Sequence, residues 1–186
     1  MARNLGITTE TAKRMILDAG AVFINYGETD ERLLGATREG STFVVEQDVR
    51  EIEVDGLRGP TKGFRRVIEE HVRLTVNLLE MTPENVELAL IGSSTTTDGT
   101  HDVIKRNLQM SEISYITNIA IVADYSDGSG QPVIIVINNA LMDGEFTLDF
   151  TDREESTTEL QFTAHFDPEG NLDESPFEIR FPTQAA

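Results

Sequence analysis

Residues 65–92 read R-R-V-I-E-E-H-V-R-L-T-V-N-L-L-E-M-T-P-E-N-V-E-L-A-L-I-G. Over the first part, Ile68, Glu70, Val72, Leu74, Val76 and Leu78 share one parity, and Val67, Glu69, His71, Arg73, Thr75 and Asn77 share the other. One face is mostly apolar and the other mostly polar, which predicts a long strand. The strand stops at Met81. Thr82 is a good N-cap, and Pro83 suits the first helical position, where its missing N–H would be unpaired anyway. Glu84 lies near the positive end of the helix dipole. Val86, Leu90 and Ile91 give a short apolar stripe, and Gly92 can end the helix. A long strand feeding a short amphipathic helix predicts a sheet whose apolar face that helix covers.

Working outward, residues 19–26 and 41–54 read as strands, the second with a break near Asp48. Gly56, Gly59, Pro60 and Gly63 forbid regular structure in the second half of residues 48–63, so a long inter-strand loop is expected there. Residues 7–17 read as a short helix or a flexible arm, and residues 33–38 and 101–110 are ambiguous. Residues 93–99 read as a polar loop. Residues 113–125 and 132–138 are apolar strands joined by Ser126-Asp127-Gly128-Ser129-Gly130, a hairpin signal. Residues 145–166 read as a second hairpin with a charged tip at 152–158. Its expected inward residues are Phe146, Leu148, Phe150, Leu160, Phe162 and Phe166, and its outward ones include Glu145, Asp149, Glu159 and Gln161. Residues 176–181 give a last short strand. The expected fold is mainly β: a β-sandwich or partial barrel with one flanking α-helix, a long loop and two arms. All 186 residues read as a single domain, with an N-terminal arm at 1–18 and a C-terminal arm at 167–186.

The net charge is -18 and is unevenly spread. Residues 111–186 hold 15 acidic residues against Arg153 and Arg180, while residues 1–110 hold 18 acidic against 13 basic. Binding a nucleic-acid backbone needs a basic surface, so such a chain is expected to repel polyanions. No stretch approaches the roughly 18 apolar residues of a membrane helix, and residues 1–6 carry no apolar export signal. The chain has no cysteine, so a zinc site would have to use His, Asp and Glu.

Chemistry-bearing motifs are sparse. Residues 124–130 (D-Y-S-D-G-S-G) share two aspartates and a glycine with calcium loops. They lack the third ligand before the glycine and the later glutamate, so a plain turn is expected. His71, His101 and His165 are far apart in sequence. Nucleophile elbow, Walker loop and dinucleotide fingerprint are all missing. The sequence predicts neither an enzyme nor a cofactor. The pair Arg65-Arg66 sits among acidic neighbours and reads as a subunit or surface contact.

Residues 17–27 (L-D-A-G-A-V-F-I-N-Y-G), 33–38 (L-L-G-A-T-R), 54–60 (V-D-G-L-R-G-P) and 74–80 (L-T-V-N-L-L-E), in this order and spacing, resemble the tail tube (major tail) proteins of long-tailed bacteriophages. The resemblance spans roughly residues 5–166 and weakens beyond Phe166. It implies a virion location after synthesis in the host cytoplasm, in a tail built of stacked homo-hexameric rings. Each subunit would lend strands to a continuous β-barrel around the channel. Tape-measure protein and viral DNA would occupy the channel, with tail terminator and baseplate proteins at its ends. The loop at 48–63 would reach the adjacent ring, with Arg58, Lys62, Arg65 and Arg66 as contact candidates. Glu145, Asp149, Glu159, Gln161 and Glu69 are the channel-lining candidates, since six copies of each carboxylate around a bore make a negative, hydrated wall. Two contrasting readings are another virion part (terminator, baseplate hub or decoration protein) and a carbohydrate-binding β-sandwich. The last needs exposed aromatics, and the chain has no Trp and only three Tyr.

Overall fold

The computed structural model describes residues 6–8, 10–56, 58–107, 115–153 and 155–183. Its spine is the strand read first from the sequence, which we label β4 (Arg65–Leu78). From Val72 to Leu78 its alternate residues Val72, Leu74, Val76 and Leu78 are fully buried, as the period predicts. Before it come β1 (Ile16–Ile24), β2 (Arg32–Leu33) and β3 (Thr37–Glu51); after it come α1 (Pro83–Ala89), β5 (Ser93–Thr97) and β6 (Asp102–Arg106). The chain ends with β7 (Ile116–Tyr125), β8 (Val133–Met142), β9 (Thr158–Ala164) and β10 (Phe177–Arg180).

Seven strands run in the order β2-β1-β7-β8-β9-β4-β3, with β10 also paired to β8; β5 and β6 form a separate hairpin. The large sheet curls rather than closing. Val22 of β1, Ile119 and Ile121 of β7 and Ile137 of β8 share one core with Val76 of β4 and Phe162 of β9. Phe43 of β3 meets Phe177 of β10 at 5.5 Å between ring centroids, which helps hold the curl. This is the expected β-sandwich with one helix.

α1 begins as the sequence indicates: Thr82 Oγ1 accepts from the Asn85 N–H at 3.3 Å, and Pro83 opens the helix. Glu84 is held below the usual glutamate range, first by its own backbone N–H and then by the Thr82 hydroxyl. The buried side is not the expected stripe, however. Asn85 and Ala89 are buried, whereas Val86, Leu90 and Ile91 are half-buried. α1 is two turns long and lies near the sheet's end, so one small residue and one amide suffice to seat it. Gly92 then turns the chain at φ +71, and a Cβ there would collide with the Asn107 carbonyl oxygen. Gly92→Ala is expected to cost about 2 kcal/mol through strain and that clash. An unchanged urea midpoint contradicts this account.

The ends and loops differ from the expectation in specific ways. β1 begins at Ile16, inside the segment expected as an N-terminal arm, with Leu17 paired to Asp124. β3 runs through Asp48 to Glu51, so the irregular part of the expected loop is 52–63. The break foreseen near Asp48 is a bulge: Asp48 faces Glu69, then Val49 faces Val67, leaving Ile68 extra. Within the expected C-terminal arm, Phe177–Arg180 is a strand laddered to β8. The polar loop expected at 93–99 is β5, paired with β6 around a turn at Asp98. The Asp98 carboxylate accepts from the N–H groups of Thr100 and His101 at 2.9 and 2.8 Å. Residues 108–114, part of one ambiguous stretch and of one expected strand, lie outside the described residues.

The hairpin expected at 145–166 is only half present. β9 ladders to β4 and to the end of β8, with Met142 facing Phe162. Residues 145–151 form no strand. They follow β9 through separate bonds, among them Thr158 Oγ1 to the Thr147 carbonyl at 3.1 Å and Ser156 Oγ to the Asp149 carbonyl. Leu160 and Phe162 point inward and Phe146 packs on the core, but Leu148, Phe150 and Phe166 are exposed.

Candidate assembly surfaces

Three surfaces stand out, and β4 connects them. The first is the outer half of the β3–β4 hairpin. Beyond the Glu46–His71 pair, both parities leave the core, and the bulge breaks the pattern that buried Val72 to Leu78. Val49, Ile52, Val54, Val67 and Ile68 are all exposed, Val67 and Ile68 by more than half. Ile68, expected on the inner face with Val72, lies beyond the core. Arg58, Lys62, Arg65 and Arg66 all sit on this hairpin, joined by Arg50, which the sequence reading missed. Among the described residues none of these five cations forms an ion pair within the chain. Arg50 even faces Arg66 directly across the ladder, an unfavourable like-charge pair in an isolated hairpin.

The second surface is the polar face of β9, β4 and β3. Directly opposed residues share a face, so the ladders place Glu159 beside Asn77, Gln161 beside Thr75, and Glu69 beside Asp48. Three channel-lining candidates, Glu159, Gln161 and Glu69, therefore lie on one continuous face. Glu46 belongs to it too and pairs with Arg73 at 3.1 Å. That neutralises the one arginine in the middle of the face and leaves Glu159, Glu69 and Asp48 to set its sign.

The third surface is the segment 143–157, which holds the other two candidates, Glu145 and Asp149, beside the Asn77 end of that face. It lies at the Thr37–Leu78 end of the β3–β4 ladder: Arg38 pairs with Glu155 at 3.5 Å, and Arg38, Asn77, Asp149 and Thr157 line one shallow recess of about 290 Å³. Phe150 is 89% exposed, more than any other large apolar side chain described.

β3 itself pairs only with β4, so one edge of this 15-residue strand carries no ladder partner among the described residues. Free edges of this length are templates for another strand. The histidines do not converge on a site. His71 lies 3.5 Å from Glu69 on the polar face, and His165 stacks edge-on to Tyr115 with its Nδ1 3.2 Å from the Asn139 carbonyl oxygen. Among the described residues no helix is long and apolar enough to cross a membrane.

No family model matches the chain, and no curated protein matches it. Among solved structures it is similar to a chain of one titled "Virion of native gene transfer agent (GTA) particle", with a TM-score of 0.46 and 7% identity over 80% of this chain and 92% of that one. A similarity this distant carries no functional argument.

Proposed function

We propose that this chain is a structural virion protein of the tail-tube type, six copies forming a ring and rings stacking into a conduit for DNA. The observation that carries the reading is the outer β3–β4 hairpin. It exposes apolar residues on both faces beside cations that form no ion pair within the chain's described residues, a combination that marks an interaction surface. The free β3 edge supports ring closure, because pairing it with a neighbouring subunit would continue the sheet around a barrel. The resemblance of residues 17–27, 33–38, 54–60 and 74–80 to tail tube proteins points the same way.

On this reading the face bearing Glu69, Glu159 and Gln161 lines the channel, and its carboxylates keep DNA and tape-measure protein from adhering. Terminator and baseplate proteins would close the two ends of the tube. Electron microscopy of the purified protein tests the reading: rings or tubes are expected, and monodisperse monomers at high concentration contradict it. The lining is tested with Glu69→Lys combined with Glu159→Lys. Tubes of this variant are expected to retain linear DNA at low salt and release it as salt rises. If they bind no more DNA than wild-type tubes, that face points elsewhere.

A further inference from the structure

The hairpin tip and the 143–157 segment sit at opposite ends of one ladder. β4 has 14 residues, so at ~3.3 Å each it separates the two by about 45 Å. Glu51 faces Arg65 at one end, and Thr37 faces Leu78 at the other, where Leu78 also meets Thr158 of β9. The two ends differ in charge. The hairpin offers Arg50, Arg58, Lys62, Arg65 and Arg66 around Glu51, Glu53 and Asp55, a net excess of cations, whereas residues 143–155 carry Asp143, Glu145, Asp149, Asp152, Glu154 and Glu155 around Arg153. They are alike in another respect. Residues 52–55 (I-E-V-D) and 145–151 (E-F-T-L-D-F-T) both alternate apolar and polar, the sequence habit of a laddered strand, yet neither is in a strand of the isolated chain.

We propose that the hairpin tip of one copy seats on residues 145–152 of a second copy, head to tail. Ile52 and Val54 pack against Leu148 and Phe150, and Arg58 and Lys62 face Asp149 and Asp152. This rests on the stacked-ring reading and deepens it by naming the surface that receives the hairpin. Complementary patches at opposite ends make a heterologous contact, which propagates along an axis instead of closing on itself. It also accounts for the alternation of 145–151: the ladder that its pattern specifies forms with the neighbour. Glu145 and Asp149 accordingly belong to the stacking contact, while Glu159, Gln161 and Glu69 keep the channel face.

Charge exchange tests this on the full chain. Asp149→Lys with Asp152→Lys places like charges in the contact and is expected to cut the pelletable tube fraction by roughly tenfold or more. Arg58→Glu with Lys62→Glu should do the same, and the four substitutions together should restore tubes. All four side chains are exposed, so each variant should melt with the wild type, which thermal unfolding checks. Tubes that survive the Asp149 and Asp152 reversals overturn the assignment and leave stacking itself intact. So does failure of the combined variant when each pair alone blocks assembly. A wild-type chain that builds neither rings nor tubes removes the stacked-ring reading and this contact together.

Discussion

Deleting residues 57–62 is expected to leave soluble, folded subunits or single rings, and no tubes. The deletion removes Arg58 and Lys62 and shortens the irregular tip, while every core residue of β4 from Val72 onward stays in register with β3 and β9. Among the described residues no buried apolar side chain lies between Gln47 and Glu70. Thermal unfolding of the subunit should therefore stay near wild type, within the ±0.5 kcal/mol usual for surface changes. Assembly should respond very differently. Each ring would use six copies of the contact at once, so a modest loss per copy multiplies across the ring. Light scattering separates monomers from single rings, and electron microscopy reads tube length. Long tubes from the deletion variant would sink the inter-ring role of the hairpin.

The sequence made the central ladder legible because β4 has one dry face and one wet face, and period two survives wherever that asymmetry exists. The same rule explains where reading failed. Past Glu70 both faces of the hairpin are wet in the isolated chain, so Ile68 could be assigned to the core parity although it lies beyond the core. Residues 145–151 keep a clean alternation without a ladder, because the pattern records which faces should be dry and not who supplies the partner strand. β5 was hidden by polarity: S-S-T-T-T looks like a loop, yet its three β-branched threonines and the Asp98-Gly99 turn are strand and hairpin signals. Of the site candidates, the three on β4 and β9 could be grouped only once the register was known. Glu159 and Glu69 are 90 residues apart in sequence, and the Asn77–Glu159 pairing puts β9 beside β4.

Asn85→Leu is expected to destabilise the subunit by roughly 2 to 4 kcal/mol, the cost of orphaning the buried Leu34 carbonyl and of losing the part-buried bonds to the Glu80 carbonyl and to Arg32. Asn85 is 2% exposed. Its Nδ2 donates to the Leu34 carbonyl at 2.8 Å and to the Glu80 carbonyl at 3.1 Å, and its Oδ1 accepts from Arg32 Nη1 at 2.9 Å. One amide therefore fastens α1 to the end of β4 and to the crossover from β2 to β3. That crossover carries the chain from the β1 half of the curled sheet to the β4 half. It is pinned again by the Ala36 N–H to Glu80 Oε1 at 2.9 Å and the Leu79 N–H to the Ala36 carbonyl at 2.9 Å. An asparagine in the first turn of a helix reads as solvent-exposed from sequence, and only the fold shows its three partners. For a chain of this size the loss should lower the melting temperature by roughly 5 to 15 °C. Asn85→Asp separates packing from hydrogen bonding: it keeps the volume and the acceptor for Arg32 but sets a carboxylate oxygen against the Leu34 and Glu80 carbonyls. It should be at least as damaging as leucine. If either variant melts within a degree of wild type, this amide does not hold the two halves of the sheet together.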